Sequence, residues 1–251
     1  MRRLLWFCNA LPAFVAGILT APLVLICALA IWIQDLRSPF YLPLRVGRGG
    51  KNFRLLKLRS MVVGADKCGV DTTIRDDPRV TRFGRVIRLM KIDELPQFWN
   101  VVVGDMALVG PRPNVRRETD LYTEEENRML LVSPGITDLA SIVFSDLADI
   151  LAGAEDPNIA YNQLIRPWKS RFAIFYIDNR TIGMDLKIIG LTAWSFVSAS
   201  GARKRVAILL RKYGAPQQLI DIALRKEGFR AIPPPGAVAI VTNREAKKKR
   251  S

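Results

Sequence analysis

Residues 4–33 read LLWFCNALPAFVAGILTAPLVLICALAIWI, 30 consecutive positions without a charged side chain. A bilayer core is crossed by about 20 apolar residues, so this run decides the class of the molecule: it associates with a membrane. Arg2 and Arg3 with Ala28-Leu29-Ala30 imitate a secretory leader and its cleavage site. The apolar region, however, far exceeds the roughly 7–15 residues of a leader's core, so cleavage is not expected. An ordinary spanning helix would tolerate Pro12 and Pro22 as kinks. Yet basic residues flank both ends, Arg2 and Arg3 before and Arg37, Arg45, Arg48, Lys51 and Arg54 after, so charge asymmetry gives no orientation. A helix broken at Ala21-Pro22 removes the difficulty, because it can re-enter and leave both basic ends in the cytoplasm. Proline removes a backbone donor and clashes with the preceding turn, making Pro22 the expected kink of a re-entrant membrane hairpin over residues 1–34.

The rest of the 251 residues can bury one core. Lys and Arg number 38 against 23 Asp and Glu, a formal charge of +15 that suits an anionic partner: nucleic acid, phospholipid or a phosphorylated substrate. The chain has no histidine, which removes His metal sites, Ser-His-Asp triads and imidazole acid–base chemistry. Cys8, Cys27 and Cys68 show no CxxC spacing and an odd count, which argues against a disulfide framework and fits a reducing compartment.

Beyond the apolar run, Gln34 to Arg54 is punctuated by Ser38-Pro39, Pro43 and Gly47-Arg48-Gly49-Gly50 and reads as irregular. Phe53 to Met61 reads as an extended segment, with Lys57 and Arg59 on one face and Leu56 and Leu58 on the other. Asp76-Asp77-Pro78 is a turn, and Thr81 caps a basic amphipathic helix from about Arg82 to Lys91. No helix-turn-helix, zinc-finger or ribonucleoprotein pattern accompanies it, so nucleic acid is not the expected partner. Ile182 to Val197, interrupted by Asp185 and Lys187, reads as a core or interfacial helix. A basic extension over residues 201–251, with a helix from Gln217 to Gly228, Pro233-Pro234-Pro235 and a polybasic Lys247–Arg250, reads as an appended tail attracted to solvent or lipid.

The densest chemistry lies in Lys91-Ile92-Asp93-Glu94-Leu95-Pro96-Gln97-Phe98-Trp99-Asn100, followed by Gly104-Asp105-Met106 and Gly110-Pro111-Arg112-Pro113. Adjacent helical residues point about 100° apart, so Asp93 and Glu94 cannot overlay, but at a helix end both reach one polar site. Bordering a phosphate, one carboxylate can attack or bind a metal while the other orients. Taken alone, the dipeptide reads as a pair of helix-terminal surface charges, as most such pairs are.

The whole ordered string resembles the bacterial sugar transferases, the monotopic phosphoglycosyl transferases, over about residues 20–195. The resemblance rests on Phe53 with Lys57-Leu58-Arg59-Ser60-Met61, on Asp77-Pro78-Arg79-Val80-Thr81 with Gly84 and Arg88, and on Asp93-Glu94-Leu95-Pro96-Gln97. It extends through Asn100-Val101, Gly104-Asp105-Met106 and Val109 to Pro113. Pro134-Gly135-Ile136-Thr137 follows, but Asp138 replaces the family's glycine and Ser141 its common glutamine. Tyr176 to Arg180 and Asp185 to Ile189 match the closing segment.

The resemblance implies an α+β, mainly helical fold: a small membrane-associated catalytic domain over residues 35–200, with a re-entrant N-terminal membrane helix and interfacial amphipathic helices. With no large membrane region ahead of it, the chain is expected to be the family's minimal form. It further implies an enzyme on the cytoplasmic face of the bacterial inner membrane. Asp93 would attack the β-phosphate of a UDP-sugar, expel UMP and pass the phosphosugar to polyprenyl (undecaprenyl) phosphate, initiating capsule, exopolysaccharide, O-antigen or glycoprotein synthesis ahead of downstream glycosyltransferases. Mg²⁺ would bind through Asp93 and phosphate oxygens. Glu94 would orient or deprotonate the acceptor. Lys57, Arg59, Arg88 and Arg112 would hold phosphates, since guanidinium forks match phosphate oxygens, and Arg180 would contact the nucleotide. The rival expectations are a non-catalytic membrane adaptor on this scaffold and a polyprenyl-diphosphate phosphohydrolase.

Overall fold

The computed structural model describes residues 2–68, 73 and 76–243. The apolar run forms helix α1, Arg2–Asp35, with Pro12 and Pro22 both inside it. The break expected at Pro22 is therefore not an interruption of helical backbone. Both halves of the helix are held by packing, and that is the setting in which proline bends a helix without ending it. In the first half the small residues Ala10 and Ala13 are buried, and Asn9 Oδ1 accepts a 3.0 Å bond from the Leu108 amide. In the second half Cys27, Ala28 and Ile31 cluster with Leu58, Ile87 and Ile92. The remaining face, including Leu19, Leu25, Ile26, Leu29 and Ile33, stays exposed. A contiguous apolar stripe of this size is a membrane-facing surface.

After α1 the chain makes β1 (Phe40–Tyr41), β2 (Leu44–Val46), β3 (Asn52–Arg54) and β4 (Lys57–Leu58). β2 and β3 form a hairpin registering Arg45 with Phe53; β1 pairs antiparallel with β4, placing Tyr41 opposite Lys57. The single extended segment expected over Phe53 to Met61 is thus two short strands, because Leu55 turns into the core between them. Helix α2 (Arg82–Leu89) starts where expected, with the Thr81 hydroxyl accepting from the Gly84 amide at 2.9 Å. A 3-10 turn at Ile92–Glu94 leads into α3 (Gln97–Val103), then β5 (Ala107–Val109).

The carboxy-terminal half adds α4 (Arg116–Thr119), β6 (Gly135–Thr137), α5 (Leu139–Val143), α6 (Leu147–Ile150) and α7 (Pro157–Ala160). A π-helical turn at Tyr161–Ile165 runs into α8 (Arg166–Asn179), followed by α9 (Ile182–Ser195), α10 (Ala199–Lys212) and α11 (Gln217–Leu224). β5 and β6 pair in parallel, bringing Gly110 against Gly135 so closely that a Cβ on Gly135 would lie 2.1 Å from the Gly110 nitrogen.

The largest core joins Leu139, Ile142 and Phe172 to Ala202, Val206, Leu210, Leu219 and Ile222. The residues after 200 therefore share the core of the preceding helices instead of forming an appended tail. The alternation of apolar and basic residues in α10 is that of a helix with one buried face. Farther on, the chain straps back over α8, Arg171 Nη2 donating to the Pro233 carbonyl at 3.1 Å and Gln163 Nε2 to that of Val241 at 2.8 Å. The polybasic Lys247–Arg250 lies outside the described residues.

Candidate active site

Lys91 adopts a left-handed conformation (φ 53°, ψ 23°) between α2 and the 3-10 turn. That reversal turns Asp93 and Glu94 back toward β4, with Asp93 buried at 4% exposure. Lys57 Nζ stands 3.1 Å from Asp93 Oδ2 and 3.2 Å from Glu94 Oε1, bridging the two carboxylates. Arg112 closes a fork on Glu94, Nη1 donating to Oε2 at 3.2 Å and Nη2 to Oε1. Burial alone would raise the Glu94 pKa, but Arg112 and Lys57 hold it far below the usual carboxylate range. Glu94 in turn pushes Arg112 above the ordinary guanidinium range.

Asn100 sets this geometry from below. Its Nδ2 donates to the Arg54 carbonyl at 2.8 Å and its Oδ1 accepts from the Leu56 amide at 2.9 Å, fixing the strand that carries Lys57 to the helix that follows the carboxylates. Asn100 belonged to the sequence string, but nothing local assigned it this anchoring task.

Two cavities are lined by the cations that hold the carboxylates, one by Lys57 and the other by Arg112. The larger, of about 950 Å³, is lined by Arg45, Arg54, Lys57, Arg59, Arg88 and Arg117 among others. A smaller one lies beside Arg112, walled by Asp138, Tyr161 and Lys169. Glu94 thus joins Lys57, on the first cavity, to Arg112, on the second.

Of the expected phosphate ligands, Lys57 and Arg112 meet at the carboxylates, and half-buried Arg88 lines the larger cavity from the last turn of α2. Arg59 also lines that cavity but spends its guanidinium on Asp35, Nη2 to Oδ1 at 2.6 Å, so its site role is at most shared with an anchoring one. Arg180 lines neither cavity; it lies over the Tyr176 ring, with Nη2 3.5 Å from Asp185 Oδ2. Among the described residues no group of three metal-ligating side chains is assembled. Asp93 Oδ2 faces Lys57, and Oδ1 has no hydrogen bond among the described residues. One or two carboxylates completed by substrate phosphate oxygens and water is a set that Mg²⁺ accepts, so the residues fit this ion and no all-protein cage.

Asp138, the departure from the family's glycine, caps α5: Oδ1 accepts from the Ser141 amide at 2.5 Å and Oδ2 from the Arg112 amide at 3.3 Å. The Asp-x-x-Ser spacing carried that signal. Lys169 was not foreseen, since a lysine between Arg166 and Arg171 reads as one of several surface cations. Burial lowers its pKa to about 8, and its ammonium lies 5.4 Å from the Tyr161 ring centroid. Behind it Arg166 is bonded to Glu126 through Nε at 3.1 Å and to Asn162 Oδ1 at 2.9 Å, a buried network that fixes this wall.

Comparison with known proteins supplies a family and relatives. The family model described as bacterial sugar transferase matches residues 2–199. A UDP-N-acetylgalactosamine-undecaprenyl-phosphate N-acetylgalactosaminephosphotransferase of Aeromonas hydrophila is 36% identical over 198 residues, 78% of this chain and 44% of that protein. A UDP-glucose:undecaprenyl-phosphate glucose-1-phosphate transferase of Caulobacter vibrioides is 35% identical over 200 residues, 77% of this chain and 71% of that protein. A UDP-galactose-lipid carrier transferase of Erwinia amylovora is 32% identical over 205 residues, 74% and 40% of the two chains. This chain therefore spans less than half the length of the Aeromonas and Erwinia proteins.

Proposed function

The chain belongs to the bacterial sugar transferase family, and from that premise we propose that it transfers a sugar-1-phosphate from a UDP-sugar to polyprenyl (undecaprenyl) phosphate, releasing UMP. The observation that carries this reading is the buried Asp93 paired with Lys57, beside Glu94, which Lys57 and Arg112 hold between them. An Asp93 oxygen attacks the β-phosphorus of the donor. The new O–P bond forms as the bond from that phosphorus to the bridging oxygen breaks, and UMP leaves with the electron pair. An oxygen of the acceptor phosphate then attacks the same phosphorus and frees Asp93, giving a polyprenyl diphosphosugar. Splitting one displacement between two like-charged phosphates into two steps is the gain of a covalent intermediate. Lys57 and Arg88, with Arg112, compensate the charge that develops on the phosphate oxygens. Mg²⁺, held by Asp93 and donor phosphate oxygens, would add further charge compensation there.

Glu94 serves this scheme better as an orienting group than as a base, because a general base works best with a pKa near the operating pH and Arg112 and Lys57 keep Glu94 far below it. On the same reading Arg180 is a nucleotide contact only if the bound donor reaches the end of α8. The product would start an exopolysaccharide or related glycan and pass to downstream glycosyltransferases.

For the location, α1 supports the same reading. Asn9 near its start and Asp35 at its end both bond to residues of the same domain, Leu108 and Arg59. A helix crossing the bilayer would offer that domain only one of its ends, which supports both ends lying on one side; we take that side to be the cytoplasmic face of the inner membrane, with Pro22 at the deep point. Cysteine labelling that places the segment before Trp6 in the periplasm would overturn this, and Pro22→Ala should shift the segment toward spanning.

The activity is tested by incubating the detergent-purified protein and undecaprenyl phosphate with UDP-glucose, UDP-galactose and UDP-N-acetylgalactosamine in turn. UMP from at least one donor is expected. Inorganic phosphate from a polyprenyl diphosphate would mark a phosphohydrolase, and no product from either reaction would favour a non-catalytic adaptor.

A further inference from the structure

Among the described residues, Lys91 is the cation nearest in sequence to Asp93 that the scheme above leaves without a task. It precedes Asp93 by two residues, and its backbone φ of 53° lies in a region that lysine rarely adopts. Its carbonyl accepts the Glu94 amide at 3.2 Å, so the backbone shapes the turn, but this leaves the side chain unexplained. The ammonium makes no ion pair or hydrogen bond among the described residues. It lies 5.7 Å from the ring centroid of Phe196, at the end of α9.

The surroundings separate this cation from Lys57 and Arg88. Those two line the large basic cavity, open to a soluble anion, whereas Lys91 does not line it. Lys91 instead adjoins an apolar rim: Leu89 and Met90 at the end of α2 are 83% and 57% exposed, and Phe196 and Val197 beyond α9 are 57% and 74% exposed. A half-buried ammonium on the residue two before the nucleophilic Asp93, set against exposed apolar side chains, complements one chemistry, a phosphate monoester on a long hydrocarbon chain. The phosphate would replace the ring face as the partner of the ammonium, and the chain would cover the rim.

Resting on the transferase reading above, we propose that Lys91 receives the phosphate of the lipid acceptor, with the first part of its hydrocarbon chain lying against Leu89, Met90, Phe196 and Val197. Donor and acceptor thus approach Asp93 from different directions, the donor through the basic cavity and the acceptor over the apolar rim.

The test compares Lys91→Gln, which keeps length and loses charge, with Lys91→Arg, which keeps charge. Undecaprenyl phosphate is titrated at saturating concentration of whichever of the three UDP-sugars yields UMP. Lys91→Gln should raise the KM for undecaprenyl phosphate by roughly 10- to 100-fold, the range of one charge-assisted contact, with a much smaller effect on kcat. Lys91→Arg should recover most of it. Intact mass after mixing with the UDP-sugar alone should show the phosphosugar adduct forming in Lys91→Gln at close to the wild-type rate. An unchanged acceptor KM would overturn the proposal, and so would an adduct rate that falls in parallel, since Lys91 would then only position Asp93. The acceptor KM decides the matter whether or not an adduct accumulates; a wild-type protein that makes lipid product without an adduct would count against covalent catalysis by Asp93 alone.

Discussion

Arg59 grips Asp35 across 24 residues of sequence, Nη1 to Oδ2 at 2.5 Å and Nη2 to Oδ1 at 2.6 Å. The fork joins the last turn of the apolar helix to the strand that carries Lys57, two residues before Arg59. Through it the apolar helix and the segment that positions Lys57 are mechanically linked. The pair holds the Asp35 pKa at about 2, chiefly through its hydrogen bonds with Arg59.

If that link is the pair's task, Asp35→Asn and Arg59→Met should be non-additive. Each should lower the thermal midpoint in detergent and the yield of membrane-bound protein, and the double variant should be no worse than the poorer single one. Additive losses would show that the two side chains act separately. The Asp35 contribution should be present throughout the neutral range and be lost only on acidification, because a depressed carboxylate pKa contributes stability above the unfolded value and loses it as pH falls toward the folded one.

Asp93 and Glu94 should fail in different ways. Asp93→Asn replaces an anionic oxygen by a poorly nucleophilic amide, so no adduct should form and both half-reactions should stop. Glu94→Gln should still give adduct with UDP-sugar while slowing transfer to the acceptor by roughly 10- to 100-fold, the range of one charge-assisted orienting contact. An adduct that persists in Asp93→Asn, or maps by proteolysis to Glu94, would reverse the two assignments.

Gly84 sits where α2 passes the chain at Ser60: a Cβ there would lie 1.9 Å from the Ser60 carbonyl oxygen and 2.7 Å from Thr81 Oγ1. Gly84→Ala must move backbone, and should cost about 1–3 kcal/mol in chemical denaturation. It should also weaken donor use, since Arg88 rides on the same short helix. A variant with wild-type stability and kinetics would show that α2 shifts freely.

Lys169 gives the protein an alkaline signature. Its folded pKa is about 8 against an ordinary 10.5, because burial opposes its charge. Between those values the unfolded chain binds the proton and the folded chain does not, so this group makes stability rise with pH across that window, by about 1–3 kcal/mol after allowing for partial exposure. Thermal unfolding of Lys169→Met should lack that rise relative to wild type. An identical pH slope in both proteins would place the lysine in ordinary solvent.

The sequence alone carried several elements nearly to their ends. Thr81 marked the start of α2, the interruption at Asp185 and Lys187 still allowed the helix Ile182–Ser195, and the uncharged 30 residues located the apolar helix though not its continuity through Pro22. Capping and hydrophobic periodicity are local, acting within about one helical turn, so they can be read from neighbouring residues. The ordered strings around Asp93 and Arg112 likewise identified the residues that meet, without showing how.

What tertiary structure decided was the partner of each charge. Lys57 lies 37 residues from Glu94, Arg112 lies 18 from it and Arg59 lies 24 from Asp35, and no periodicity distinguishes the cation facing the carboxylates from the one tied to the membrane helix. It also decided that α1 continues through Pro22, because packing on Ala13 at one end and Ile31 at the other outweighs the local penalty. The same holds for α10 and α11, whose apolar faces complete the core of the helices before them. Pairing and packing join segments distant along the chain, so their outcome is fixed by the fold as a whole and not by any stretch of it.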